Sequence, residues 1–249
     1  MTKSILMTAV ALATALHAQN SFQSSTWLGA MPPNNPQQAL RPDGQMGPVT
    51  GKPFSGVETR ETKQVLSDGT PVNKKTVSKI FRDAEGRMRS EGGTHAMLFD
   101  APNLASYTIS SNSCRKQTVR EDSTITIAAT ESGTSWSSQS KTGMASKPNP
   151  AAVVEDLGFQ VINGISVKGM RQTLTIPAKT LGSDHDVKVV NERWYSDALG
   201  ILIKSSNVDP RFGSTTYELS DINQSTPDSA LFTPPTGCSD FQMPGGLRH

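Results

Sequence analysis

Histidine is scarce in this sequence, with four in 249 residues, and one of them, His17, directly follows the N-terminal apolar segment. That leaves His95, His185 and His249, too few to build a multi-histidine metal centre or to supply a triad with much choice of base. The short catalytic signatures are missing as well. There is no HExxH, no GxxxxGK[ST] and no dinucleotide glycine fingerprint behind a strand. Gly133-Thr134-Ser135-Trp136-Ser137 lacks the closing glycine of a nucleophile elbow. Cysteine is limited to Cys114 and Cys238, with neither a CxxC pair nor a metal-ligand spacing. The net charge is only +2, which gives no footprint for nucleic acid and no polybasic membrane patch. These absences point away from the common enzyme classes and predict no cofactor and no catalytic residues.

Long apolar runs and helical periodicity are also lacking. The longest apolar stretch, Ile5 to Leu16, spans about 12 residues, against the roughly 20 that a spanning helix needs. With Lys3 before it and Leu16-His17-Ala18 after it, residues 1–18 have the three-part layout of a secretory signal peptide, and export to the periplasm or exterior is expected. No later stretch approaches transmembrane length. No window of helix length sustains a 3.6-residue period either.

What is present is turn and strand chemistry. Residues 19–56 contain Pro32-Pro33, Asn34-Asn35-Pro36, Pro42-Asp43-Gly44 and Gly47-Pro48 among few apolar residues, and read as a disordered leader. A β domain is expected over 57–235. It opens with Val57–Leu66, the turn Ser67-Asp68-Gly69-Thr70 and Val72–Phe81, a hairpin whose Asp-Gly supplies positive φ. Arg60, Lys63, Lys74, Arg82, Glu58 and Asp83 are assigned to its solvent face. Shorter strands follow at Arg87–Glu91, His95–Phe99, Leu104–Ser111 and Thr124–Thr130. Residues 131–150, rich in Ser, Gly, Lys and Pro, read as a loop or linker. Val153–Ile162, Asn163-Gly164 and Ile165–Ile176 form the strongest hairpin signal. The stretch Val187–Leu219 then reads as a meander at the centre of the sheet. Pro227–Phe232 can make one helical turn anchored by Leu231 and Phe232, and residues 236–249 form a tail. The expected fold is therefore all-β with little helix: an antiparallel curved sheet or unclosed β-barrel with long meanders. In an exported protein the two cysteines pair by default as one disulfide, Cys114–Cys238, although free thiols remain the alternative.

Few residues are candidates for binding. Asp184-His185-Asp186 puts two carboxylates at i and i+2 beside an imidazole, a weak metal site set against a solvated loop entering a strand. Trp194 and Tyr195 point to opposite faces of a regular strand, so one anchors the core while the other lines a groove or covers an edge. With Met170 and Phe212 they are the candidate ligand contacts.

Glu155-Asp156-Leu157-Gly158, Ile162-Asn163-Gly164, Thr175-Ile176-Pro177-Ala178, Glu192-Arg193-Trp194-Tyr195-Ser196 and Asp209-Pro210-Arg211-Phe212-Gly213 together resemble a family of exported proteins of acidobacterial type, for which no activity can be carried over. Pro227-Asp228 and Leu231-Phe232 belong to the same set. More distantly, the strand order and closing Leu-Phe resemble the lipoprotein-carrier fold, an unclosed β-barrel. That resemblance implies a concave sheet holding acyl chains, with a lipid, a lipoprotein or an envelope protein as partner. The alternatives are a structural or protein-interaction module of the envelope and, third, a hydrolase without a recognisable motif.

Overall fold

The computed structural model describes residues 48–118, 123–130, 133–140, 152–180 and 182–240. The expected signal peptide, most of the leader and the last part of the tail lie outside these residues. The chain is nearly all strand: β1 (Phe54–Val65), β2 (Pro71–Arg82), β3 (Met88–Gly92), β4 (His95–Asp100), β5 (Ala105–Ser110), β6 (Ser113–Thr118), β7 (Ser123–Thr130), β8 (Gly133–Ser140), β9 (Ala152–Ile162), β10 (Ile165–Ile176), β11 (Val187–Ser196), β12 (Ile201–Asp209), β13 (Gly213–Asn223) and β14 (Ser239–Asp240). Among the described residues the one helical element is a 3-10 turn, Ser229–Phe232, and Asp228 caps it by accepting from Ala230 N.

Twelve strands form one sheet in the order β14-β6-β5-β4-β3-β2-β1-β13-β12-β11-β10-β9, and β7 pairs only with β8. All pairings are antiparallel except β14 with β6. The sheet does not close, because β9 and β14 end it on opposite sides. The all-β, unclosed antiparallel architecture expected from the sequence is the one observed.

Local chemistry explains most of the connections. Gly69 (φ 85°) closes the β1–β2 turn while Asp68 Oδ1 accepts from Thr70 N at 2.9 Å. Asn163 (φ 51°) and Gly164 (φ 77°) make the β9–β10 turn in the left-handed conformation that two-residue hairpins require.

The sheet is rolled at one end. Asn163 Nδ2 donates to Leu219 O at 2.9 Å, although β11 and β12 intervene between β10 and β13. A flat sheet would separate such positions by about 14 Å. Similarly, Arg82 at the end of β2 donates to Leu199 O in the β11–β12 turn. The main core fills this rolled end, with Phe54, Ile80, Leu199, Ile201, Leu202, Ile203, Tyr217 and Leu219 each at most 3% exposed. At the opposite end, Leu66, Val208 and Phe212 are exposed apolar residues. A second cluster packs Leu98, Ala105 and Tyr107 against Phe232 of the 3-10 turn. Cys114 and Cys238 form a disulfide beside that cluster.

Several expectations need correction. Gly133–Ser140, expected within a loop or linker, is the strand β8, paired residue for residue with β7 from Thr130↔Gly133 to Ser123↔Ser140. Ser113–Thr118 had no assigned strand and forms β6. Order begins before Val57: Phe54 is fully buried and Gly51 N donates to Ala84 O at 2.8 Å. The expected tail contributes β14, seated beside β6 next to the disulfide. Val187–Leu219 is not the sheet centre. That position belongs to β1, flanked by β2 and β13, because the first long strand pairs with the last. Finally, Glu58, Arg82 and Asp83 are not on a solvent face but are at most 4% exposed.

Candidate functional site

Residues directly opposite one another on neighbouring strands share a face. Following the register gives one continuous row across seven strands. Asp156 pairs with Met170, Met170 with Arg193, Arg193 with Ser205, Ser205 with Tyr217, Tyr217 with Arg60, and Arg60 with Thr76. This face is the inner one, since it carries buried Tyr217 and Arg193, whereas neighbouring positions such as Thr216 and Lys188 are exposed. The row lies between the packed rolled end and a second, polar row in which Gln172, Asn191, Asn207, Thr215 and Thr62 are successive partners.

The inner-face row holds charge in an apolar setting. Glu58, 4% exposed, accepts from Tyr217 Oη at 3.0 Å and from Ser78 Oγ at 3.3 Å. Arg60 has a buried Nε without a hydrogen-bond partner. Burial lowers its pKa, partly opposed by the nearby Tyr217 and Glu58. Arg193 is 7% exposed, and burial pushes its pKa down to about 10. An apolar strip lies towards the open end: Leu174, Ile176, Val187 and Val189 form a separate cluster.

The sequence candidates fall in different places. Met170 is a member of this row, directly opposite Arg193, and Tyr195 lies beside the row, directly opposite Lys168. Trp194 is half-buried opposite Gly169, where the β11–β12 register slips between Trp194 and Tyr195. Both aromatic residues pack against the main core. Phe212 is at the other end of β12, exposed at the turn beneath the Arg211 guanidinium, 4.9 Å from its ring centre. Asp184, His185 and Asp186 are in the β10–β11 loop, where Asp186 Oδ1 accepts from Ala178 N at 2.9 Å and Ser183 Oγ donates to His185 O at 2.8 Å. Among the described residues no three His, Cys, Asp or Glu side chains gather as metal ligands. A cavity of about 410 Å³ lies beside the 3-10 turn, but its polar lining is engaged: Arg89 bonds Glu91 and Leu231 O, and Asp228 caps the turn.

Arg60, Arg193, Glu58 and Tyr217 were missed as site residues. The signal was available, since the alternation that puts Val187, Val189 and Tyr195 on one face puts Arg193 on it too.

Fold and site together define an unclosed antiparallel β-sheet protein with a buried cationic row on its inner face. No family model matches the chain, and no curated protein matches it in sequence. Among solved structures it is similar to MucB in complex with MucA(peri), with a TM-score of 0.38 and 10% identity over 77% of this chain. The MucA/MucB complex of Pseudomonas aeruginosa gives a TM-score of 0.38 and 12% identity, again over 77% of this chain. The chain spans 57% and 59% of those two MucB-containing matches. It is also similar to the lipoprotein LppX of Mycobacterium tuberculosis, with a TM-score of 0.29 and 15% identity over 71% of this chain and 90% of that one.

Proposed function

We propose that this is an exported, non-enzymatic β protein of the bacterial envelope that binds an apolar ligand, a lipid or the acyl part of a lipoprotein, on the inner face of its open sheet. The observation that carries this reading is the inner face itself: one end is sealed by the main core, and the other bears a separate apolar cluster beyond a buried cationic row. Met170 and Tyr195 lie on that face and are the proposed ligand contacts; Trp194, opposite Gly169, points to the other face and packs against the main core, and Phe212, at the rim, is the proposed entry contact. Export follows from the N-terminal 18 residues. The test is to express the full chain with its N-terminus, extract the purified protein with organic solvent, and add the neutral probe N-phenyl-1-naphthylamine to the delipidated material. Saturable probe fluorescence that added lipid displaces is expected. The absence of both a co-purifying lipid and a saturable probe site would overturn the proposal.

A second reading, a protein-interaction module, is favoured by β9. This edge strand leaves Val153, Val154, Phe159 and Val161 between 56% and 74% exposed. Exposed apolar edges template pairing with another strand, although Glu155, Asp156 and the positive-φ Gly158 interrupt this one.

A further inference from the structure

Arg82 and Arg193 are both buried and differ in what surrounds them. Arg82 is 1% exposed and its guanidinium is engaged: Nε donates to Lys52 O at 2.9 Å, Nη2 donates to Leu199 O, and its Cζ lies 4.7 Å from the centre of the Phe54 ring. Arg193 is 7% exposed, yet among the described residues it has no hydrogen bond, ion pair or ring contact. A guanidinium carries five N–H donors and stays charged at neutral pH. Desolvating one without an acceptor costs free energy, and Arg193 bears that cost as a residue on the inner face. None of its nitrogens, however, is among the fully buried side-chain atoms without a hydrogen bond, which among the described residues are Arg60 Nε and Ser90 Oγ.

Among the described residues no acid fills the gap. Arg60, the other arginine of the row, has Glu58 two residues along the same strand, and that carboxylate opposes its desolvation. Around Arg193 the row neighbours are Met170 and Ser205. The adjacent Glu192 is bound to Arg171 through both Nε and Nη2 at 2.6 Å. Asp156, at the end of the row, is taken by Lys168 Nζ at 2.9 Å and by Gly158 N at 2.8 Å. Towards the open end the same face of β11 continues through Asn191 to Val189 and Val187, about 20 Å of strand in total.

We infer that the ligand of the inner face is an anionic amphiphile, whose carboxylate or phosphate head pairs with Arg193 while its chain lies on the apolar residues towards the open end. This inference rests on the apolar-ligand reading above. It supplies the missing acceptor and makes Arg193 the residue that selects among ligands of equal chain length.

Displacement of N-phenyl-1-naphthylamine by oleate, 1-oleoyl lysophosphatidate and oleyl alcohol tests it on the full-length, delipidated protein. At least one of the two acids should displace the probe with tenfold or greater preference over the alcohol; which acid does so separates a carboxylate source from a phosphate source. Arg193→Met should remove that preference, and Arg193→Lys should retain part of it. If all three ligands compete equally on the wild-type protein, the inference fails while the carrier reading stands. If none displaces the probe, both fail. The wild-type comparison needs no variant to fold, so a poorly folding Arg193→Met protein does not rescue the inference.

Discussion

Gly169 and Trp194 are direct partners across the β10–β11 ladder, and the indole occupies the space that a side chain at 169 would need: a Cβ there would lie 2.5 Å from Trp194 Cε3. The glycine is required by this close approach rather than by its backbone angles. Gly169→Ala should therefore overpack the ladder and cost about 1–3 kcal/mol. Urea denaturation should show the lower midpoint, and a second change, Trp194→Leu, should recover part of the loss. Additive destabilisation by the two substitutions would show that the ring does not sit on the glycine.

The Arg82 contacts make a sharper demand. Arg82→Met leaves Lys52 O and Leu199 O without their donor at the rolled end of the sheet. Each orphaned carbonyl, one buried and one part-buried, costs about 1–3 kcal/mol, so a total loss of about 2–6 kcal/mol is expected. An exposed arginine offers the control: Arg115→Met should change stability by less than about 0.5 kcal/mol.

The Cys114–Cys238 disulfide closes a loop with a sequence separation of 124. Chain entropy allows such a crosslink up to about 4–5 kcal/mol. The double variant Cys114→Ser, Cys238→Ser should lose about 2–5 kcal/mol and expose the segment that the bridge holds. Amide exchange should accelerate at Leu231 and Thr233, whose N–H groups bond Asp228 O and Ala230 O, more than at β1 or β13. Uniform acceleration across the sheet would count against a local role.

Asp209 gives a pH dependence with a definite sign. Burial raises its pKa, but the bonds from Arg211, through Nε at 2.9 Å, Nη2 at 2.6 Å and the backbone N at 3.0 Å, outweigh that and leave the net shift downward. A carboxylate with a depressed folded pKa contributes stability above its unfolded pKa of about 4, and loses it as pH falls through the folded value. Asp209→Asn should thus be destabilising by about 1–3 kcal/mol at pH 7. The gap between the two proteins should narrow steadily below about pH 4. A gap independent of pH between 7 and 2 would rule out the ion pair as its source.

Much of the architecture is readable from local chemistry, and the failures have physical causes. Asp68-Gly69 and Asn163-Gly164 announce their hairpins because few residues tolerate positive φ, and the alternation of Val187, Val189 and Arg193 in β11 marks its buried face. β8 was read as a loop because Gly133–Ser140 is almost wholly polar. Its pairing with β7 comes from backbone hydrogen bonding, which composition does not report. Glu58 and Arg82 looked like surface charges because each is judged alone by its affinity for water. Inside the fold, Tyr217 and Ser78 donate to one, and two carbonyls accept from the other.

By itself the sequence determined an all-β chain, the positions of most of its turns and the scarcity of catalytic groups, because these depend on φ preference, on period-two patterning and on residue inventory. Trp194-Tyr195 could be read as packing residues on the same grounds. Only the tertiary structure decided that β1 pairs with β13 and becomes the centre of the sheet. Only it could set Arg193 in one row with Ser205, Tyr217 and Arg60. Such rows depend on register between strands more than 100 residues apart along the chain, as β1 and β13 are. The want of a partner for Arg193 among the described residues is likewise a property of its surroundings, which no local pattern encodes.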